Sequence, residues 1–123
     1  MTEQRTLVAV VDDDESVRES LPDLLAEMGF TARAFASAEE FLASDHASDA
    51  GCMILDICLP GMSGPDLQRE LVRRGHSLPT IFITAQSRQG NPTGLRLGAF
   101  ECLFKPFSEQ ELRTALENAL AKN

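Results

Sequence analysis

Short apolar, β-branched runs alternate with amphipathic segments along the chain, and these two periods set the predicted elements. Residues 6–11, Thr31–Phe35, residues 52–55, Thr80–Thr84 and Glu101–Phe104 have the length and composition of strands. Residues 15–28 put Val17, Leu21, Leu24, Leu25 and Met28 on one helical stripe, ended by Gly29. A short helix opens at Ser37-Ala38-Glu39-Glu40, a capping-box pattern with Ser37 at the N-cap. The turn-rich stretch LPGMSGP leads to a helix over residues 65–74, stopped by Gly75. The last helix, residues 108–121, opens with a second capping box, Ser108 to Glu111, and buries Leu112, Ala115, Leu116, Ala119 and Leu120.

Strands apolar on both faces and separated by helices predict a parallel sheet covered on both sides through right-handed crossovers. The expected architecture is therefore a doubly wound α/β domain with a five-stranded parallel sheet. Two segments resist the pattern. Pro22 lies inside the first helix, where it removes a hydrogen bond at a cost of ~3 kcal/mol, which predicts a kink or a late start. A fourth helix should fall between Gln86 and Gly98, but Gly90-Asn91-Pro92-Thr93-Gly94 is poor helix material, so a short or irregular segment is expected.

A chain of 123 residues suits a single domain, taken here as residues 1–123. The formal net charge of −8 removes the general attraction to phosphate backbones, so no direct nucleic-acid binding is expected. No apolar run approaches the ~20 residues of a membrane helix, and residues 1–6 lack an apolar signal core, so a cytoplasmic protein without membrane contact is expected. Cys52, Cys58 and Cys102 follow no metal-ligand spacing and are expected to be reduced, mostly buried thiols; a redox role for Cys58 is the minor alternative.

In such folds ligands bind beyond the carboxyl ends of the strands, where strand order reverses. The runs end at Asp12-Asp13, at Asp56, at Thr84 and at Lys105, so three carboxylates, a hydroxyl and an amine should converge on one rim. Asp14 and Glu15 are accounted for as charges at the positive end of the first helix. Asp12 and Asp13 together are not, because paired acids at the mouth of a buried strand repel and lose hydration unless a cation joins them. Asp56 closes an apolar run, where a carboxylate brings no structural gain and serves as metal ligand, nucleophile or both. Lys105 is the expected counter-charge, whereas Thr84 alone is weak evidence. Lys105 precedes Pro106 ahead of a helix cap, a setting that suits a cis peptide, although trans is the default for any X-Pro bond. Oxygen donors without histidine or thiolate suit Mg²⁺, with Mn²⁺ as a possible substitute. A carboxylate beside such an ion and a lysine can attack phosphorus to form an acyl phosphate.

VVDDDESVRESL, LDICLPGMSG, TIFITA and FKPF, in this order, resemble the receiver domains of bacterial two-component response regulators. AFASAEEFL and LPGMSG resemble the FixJ-like subfamily, whose receivers often precede a DNA-binding output domain. The resemblance implies a flavodoxin-like strand order 2-1-3-4-5. It also implies that Asp56 accepts a phosphoryl group from a sensor histidine kinase or phosphotransfer protein. Asp13, Asp56 and the main-chain carbonyl of Cys58 would bind Mg²⁺, with Asp12 acting mainly through water. Thr84 and Lys105 would contact the phosphoryl oxygens, with small Ala85 leaving access open. The implied protein is a phosphoacceptor rather than an enzyme, at most removing its own phosphoryl group, and a monomer or a phosphorylation-dependent dimer.

Three departures qualify the resemblance. The position three before the lysine, usually aromatic in the family, is Cys102, with Phe100 and Phe104 expected on the opposite face. The link from Thr84 to Lys105 is slightly short and holds the glycines and proline of residues 90–94. No output domain follows Asn123, which implies a stand-alone receiver acting on other proteins or one whose output domain is missing from this chain. Two rival functions follow: a degenerate receiver that only binds partners, and a Mg²⁺-dependent phosphatase or phosphotransferase with an aspartyl nucleophile.

Overall fold

The computed structural model describes residues 5–85 and 101–121. Its elements run β1 (Leu7–Val11), α1 (Glu15–Glu27), β2 (Thr31–Phe35), α2 (Ala38–Leu42), β3 (Cys52–Asp56), α3 (Gly64–Arg73), β4 (Thr80–Thr84), β5 (Glu101–Phe104) and α4 (Glu109–Ala121). The strands form one parallel sheet in the order β2-β1-β3-β4-β5, as the resemblance implied. The chain thus steps from β1 outward to β2 and returns on the other side at β3, so strand order reverses between β1 and β3.

Alternate strand residues feed two core layers, which explains why the central strands are apolar throughout. Val8, Val10, Cys52, Ile54, Ile81 and Ile83 pack with Leu21 and Leu25 of α1 and with Leu112, Ala115, Leu116 and Ala119 of α4. Ala9, Val11, Met53, Leu55 and Phe82 pack on the other face with Ala38 and Phe41 of α2 and Leu67 and Leu71 of α3. Both helical stripes read from the sequence therefore face one layer. The register pairs Val11 with Leu55, Asp56 with Ile83 and Thr84 with Phe104, which brings the carboxyl ends of the strands level.

The helix ends follow their side chains. Asp14 Oδ1 accepts the Ser16 N–H at 3.0 Å, and Ser37 Oγ accepts the Glu40 N–H at 3.0 Å. At α4, Ser108 Oγ accepts the Glu111 N–H at 3.0 Å, while Glu111 Oε1 accepts the Ser108 N–H at 2.8 Å, a reciprocal capping box. α1 runs through Pro22 from Glu15 to Glu27, so the late start is ruled out; Pro22 simply has no N–H to offer the Arg18 carbonyl.

Four further expectations need correction or placement. The Lys105-Pro106 peptide is cis, the isomer that its place ahead of a helix cap suited, rather than the default trans. Cys52 is buried, but Cys102 is only half-buried and Cys58 is exposed, so the thiols are not mostly buried. Phe104 cannot lie opposite Cys102: residues two apart on a strand share a face, and it is Leu103 that joins the other layer. Phe100 and the anticipated fourth helix between Gln86 and Gly98 lie outside the described residues.

Among the described residues no helix is long and apolar enough to cross a membrane. Leu116→Ala, at a site 2% exposed, should lower the unfolding free energy by ~2–5 kcal/mol in urea titration, whereas Val72→Ala, at 55% exposure, should change it by less than ~0.5 kcal/mol.

Candidate functional site

The level strand ends bring Asp12, Asp56, Thr84 and Lys105 to one rim at the β1/β3 reversal. Asp12 follows β1 and is fully buried, with its N–H donating to the Phe35 carbonyl at 3.1 Å. Its Oδ1 accepts the Asp14 N–H at 2.9 Å, and its carbonyl accepts from Arg18 Nη1 at 3.2 Å. Asp13, the next residue, is exposed. Asp56 ends β3, is 6% exposed, and its Oδ1 accepts the Cys58 N–H at 3.1 Å.

Lys105 enters this group from the end of β5. Its N–H donates to the Thr84 carbonyl at 2.8 Å, which locks the turn of backbone to the end of β4. Its Nζ then lies 2.9 Å from Asp12 Oδ2 and 3.6 Å from Asp56 Oδ2. Thr84 is 3% exposed beside it, and Ala85 is exposed at the surface.

One ammonium facing this many carboxylates leaves negative charge uncompensated. Burial, followed by the charge of Asp12, pushes the Asp56 carboxyl up to about 6; the Cys58 N–H and the Lys105 charge pull the other way. Burial also opposes charge on Lys105, but the Asp12 carboxylate beside it and the neighbouring acids outweigh it and raise its pKa. Asp14 behaves differently: hydrogen bonds from Ser16 lower its pKa, as befits a helix cap rather than a ligand.

A small divalent cation fits this arrangement. Oxygens of Asp12, Asp13 and Asp56 all lie within 4.8 Å of one another. Asp12 Oδ2 is buried and, despite the ammonium beside it, accepts no hydrogen bond of good geometry among the described residues. A buried carboxylate oxygen in that state retains the capacity to interact with a cation, directly or through water. Exposed Asp13 leaves one side open to solvent. Carboxylate donors without sulfur or imidazole suit Mg²⁺ or Mn²⁺ rather than a softer metal.

Residues 8–117 match the family described as the response regulator receiver domain. The chain belongs to that family. The transcriptional regulatory protein TdiR of Thauera aromatica is 41% identical over 123 residues, covering 99% of this chain and 54% of that protein. The transcriptional regulatory protein FixJ of Azorhizobium caulinodans is 35% identical over 117 residues, 94% of this chain and 56% of that protein. Among solved structures, FixJ-N superposes with a TM-score of 0.82 at 34% identity and covers 98% of both chains. The response regulator StyR gives 0.85 at 41% identity, over 98% of this chain and 61% of that one. The receiver is thus of the FixJ-like type, and it spans about half the length of the curated relatives it matches. Family membership carries a phosphoacceptor signalling role in two-component systems.

Two contacts, one at Asp12 and one on the loop that follows Asp56, were not anticipated from sequence. Arg18 reaches back to the Asp12 carbonyl, and Glu39 accepts the Met62 N–H at 3.1 Å across 23 residues. Arg18 follows Asp14 by one helical turn, a spacing that could have drawn attention to it. Glu39 carries no comparable signal, since an acid in the first turn of a helix is already explained by the helix dipole.

The raised Asp56 carboxyl sets a pH-dependent stability. An unfolded aspartate titrates near ~3.9, so the folded receiver binds this proton more tightly. Ionising Asp56 therefore costs nothing below about pH 4, and the cost grows up to about pH 6 and is complete above it, on the order of 1–3 kcal/mol. In metal-free buffer at pH 8, Asp56→Asn should melt higher than the wild type by ~3–8 °C, with the gap closing by pH 4. Equal melting temperatures at pH 8 would show that the carboxylates do not oppose one another.

Proposed function

We propose that Asp56 is the phosphoryl acceptor of this receiver and that its neighbours form the transfer site. The observation that carries the reading is a nearly buried carboxylate at the end of β3, 3.6 Å from an ammonium and grouped with two further acids. In transfer, an Asp56 carboxylate oxygen attacks the phosphorus of a phosphohistidine. The P–N bond breaks with its electron pair remaining on the imidazole nitrogen, and a P–O bond forms to give an acyl phosphate. The Cys58 N–H on Oδ1 fixes the rotation of the carboxylate before attack. Lys105 offsets charge on the phosphoryl oxygens, the Thr84 hydroxyl contacts one of them, and small Ala85 leaves the approach open.

Asp13, Asp56 and the Cys58 carbonyl would hold Mg²⁺, with Asp12 acting through water; bound there, the ion supplies positive charge against the phosphoryl oxygens. The donor is a sensor histidine kinase or phosphotransfer protein in the cytoplasm. The receiver, residues 1–123, passes its state by protein contacts to an output domain or a separate output protein, as a monomer or a phosphorylation-dependent dimer. It catalyses no further reaction beyond loss of its own phosphoryl group.

One feature favours a second reading, a receiver that binds partners with a weakened switch. Cys102 sits opposite Phe82 on β5, where receivers usually carry an aromatic side chain. The two readings part on a chemical test. Intact-mass analysis after incubation with acetyl phosphate and Mg²⁺ should show one added phosphoryl group on the wild type. Asp56→Asn and metal chelation should each abolish it; a wild type that gains nothing, or a variant that still gains the group, would refute the acceptor role.

A further inference from the structure

Glu39 stands in the first turn of α2, yet that helix end is already capped without it. Ser37 Oγ accepts the Glu40 N–H, and Glu40 Oε1 accepts the Ala36 N–H at 2.9 Å. The Glu39 carboxylate turns instead to the connection between β3 and α3, where its Oε2 accepts the Met62 N–H at 3.1 Å. Gly61 beside it has φ 73°, and a Cβ there would lie 2.9 Å from the same oxygen. The tip of the connection therefore closes on one carboxylate oxygen, and the positive φ at Gly61 is the backbone conformation that favours glycine there.

The two ends of this connection meet the acceptor. The Gly64 N–H donates to the Ile57 carbonyl at 3.1 Å, and a Cβ on Gly64 would collide with the Asp56 carbonyl oxygen. Between these anchors lies Cys58, whose N–H holds Asp56 Oδ1. Leu59 is buried in the core layer of α2 and α3, with Ile57 and Met62 packed against it, so the side chains of this connection are anchored. Apolar packing fixes depth without fixing peptide orientation, and the contact with Glu39 adds a directional hold on the main chain from a different element.

We propose that Glu39 is a positioning residue for the phosphoryl-acceptor site, holding the 57–63 loop through Met62 and so fixing the Cys58 main chain against Asp56. The inference rests on the reading that Asp56 and the Cys58 carbonyl belong to a cation-assisted transfer site. It predicts a defect in cation binding rather than in folding or in the transfer step at saturating cation.

The wild-type chain, Glu39→Ala and Glu39→Gln are compared in two assays. In Mg²⁺ titrations followed by the Cys58 amide NMR signal without a phosphodonor, Glu39→Ala should need about fivefold more Mg²⁺ for half-saturation, the scale of losing one partly exposed hydrogen bond. With acetyl phosphate, the same shift should appear in the Mg²⁺ dependence of labelling, with the maximal rate within about twofold of wild type. Glu39→Gln keeps an acceptor oxygen and should restore both. Melting temperatures of the three proteins should agree within about 2 °C, as expected for an exposed position. Unchanged Mg²⁺ half-saturation in Glu39→Ala, a Gln variant as defective as the Ala variant, or a larger fall in melting temperature would overturn the proposal. The donor-free titration decides on Glu39 even if no phosphoryl group is taken up, an outcome that would refute the acceptor role instead.

Discussion

The ion pair between Lys105 and Asp12 is the constraint on which the site depends. A carboxylate at zero exposure is costly to ionise without a partner, and the ammonium at 2.9 Å is its nearest compensation. The same ammonium stands 3.6 Å from Asp56, so one cation is shared between two buried or nearly buried acids. Sharing leaves Asp56 under-compensated, which is why burial and Asp12 together hold its carboxyl high. The site is thereby left needing positive charge, a condition that suits both a bound divalent cation and chemistry on a phosphoryl group.

Sheet topology makes that concentration of charge possible. Parallel strands end on the same rim, and the level register places Asp12, Asp56, Thr84 and Lys105 at successive strand ends. The reversal between β1 and β3 then opens a crevice there, because α1 and α3, the helices that follow these two strands, depart to opposite faces of the sheet. The packed layers below are apolar and hold the acids at a fixed depth. Asp13, one residue beyond Asp12, emerges into solvent and gives the group its open side.

Much of this was legible in the sequence because the relevant signals are local. Strand limits coincide with the ends of apolar runs, and the caps at Asp14, Ser37 and Ser108 are visible as residue types at fixed offsets. The rim residues were legible for a related reason: a polar side chain that ends a buried run lies where a parallel sheet collects function. The cis Lys105-Pro106 bond was legible only in part: its place ahead of a helix cap suited cis, while the general preference of X-Pro bonds is trans. The exposure of Cys58 was not legible, since it lies past the strand where alternation no longer applies. Glu39 shows the limit most clearly, because its partner lies 23 residues away on a neighbouring loop. Only the side-by-side placement of the α2 start and the β3–α3 connection gives its carboxylate a role.

The central claim is that Asp12, Asp13 and Asp56 form one cation site rather than three separate surface charges. Paramagnetic broadening by substoichiometric Mn²⁺ tests it most directly, since the ion marks where it binds. The account predicts broadening confined to the amide signals around residues 12–14 and 56–58, displaced by excess Mg²⁺ and lost in Asp13→Asn. Broadening spread over the exposed acids of α1 and α4, unaffected by that substitution, would contradict it.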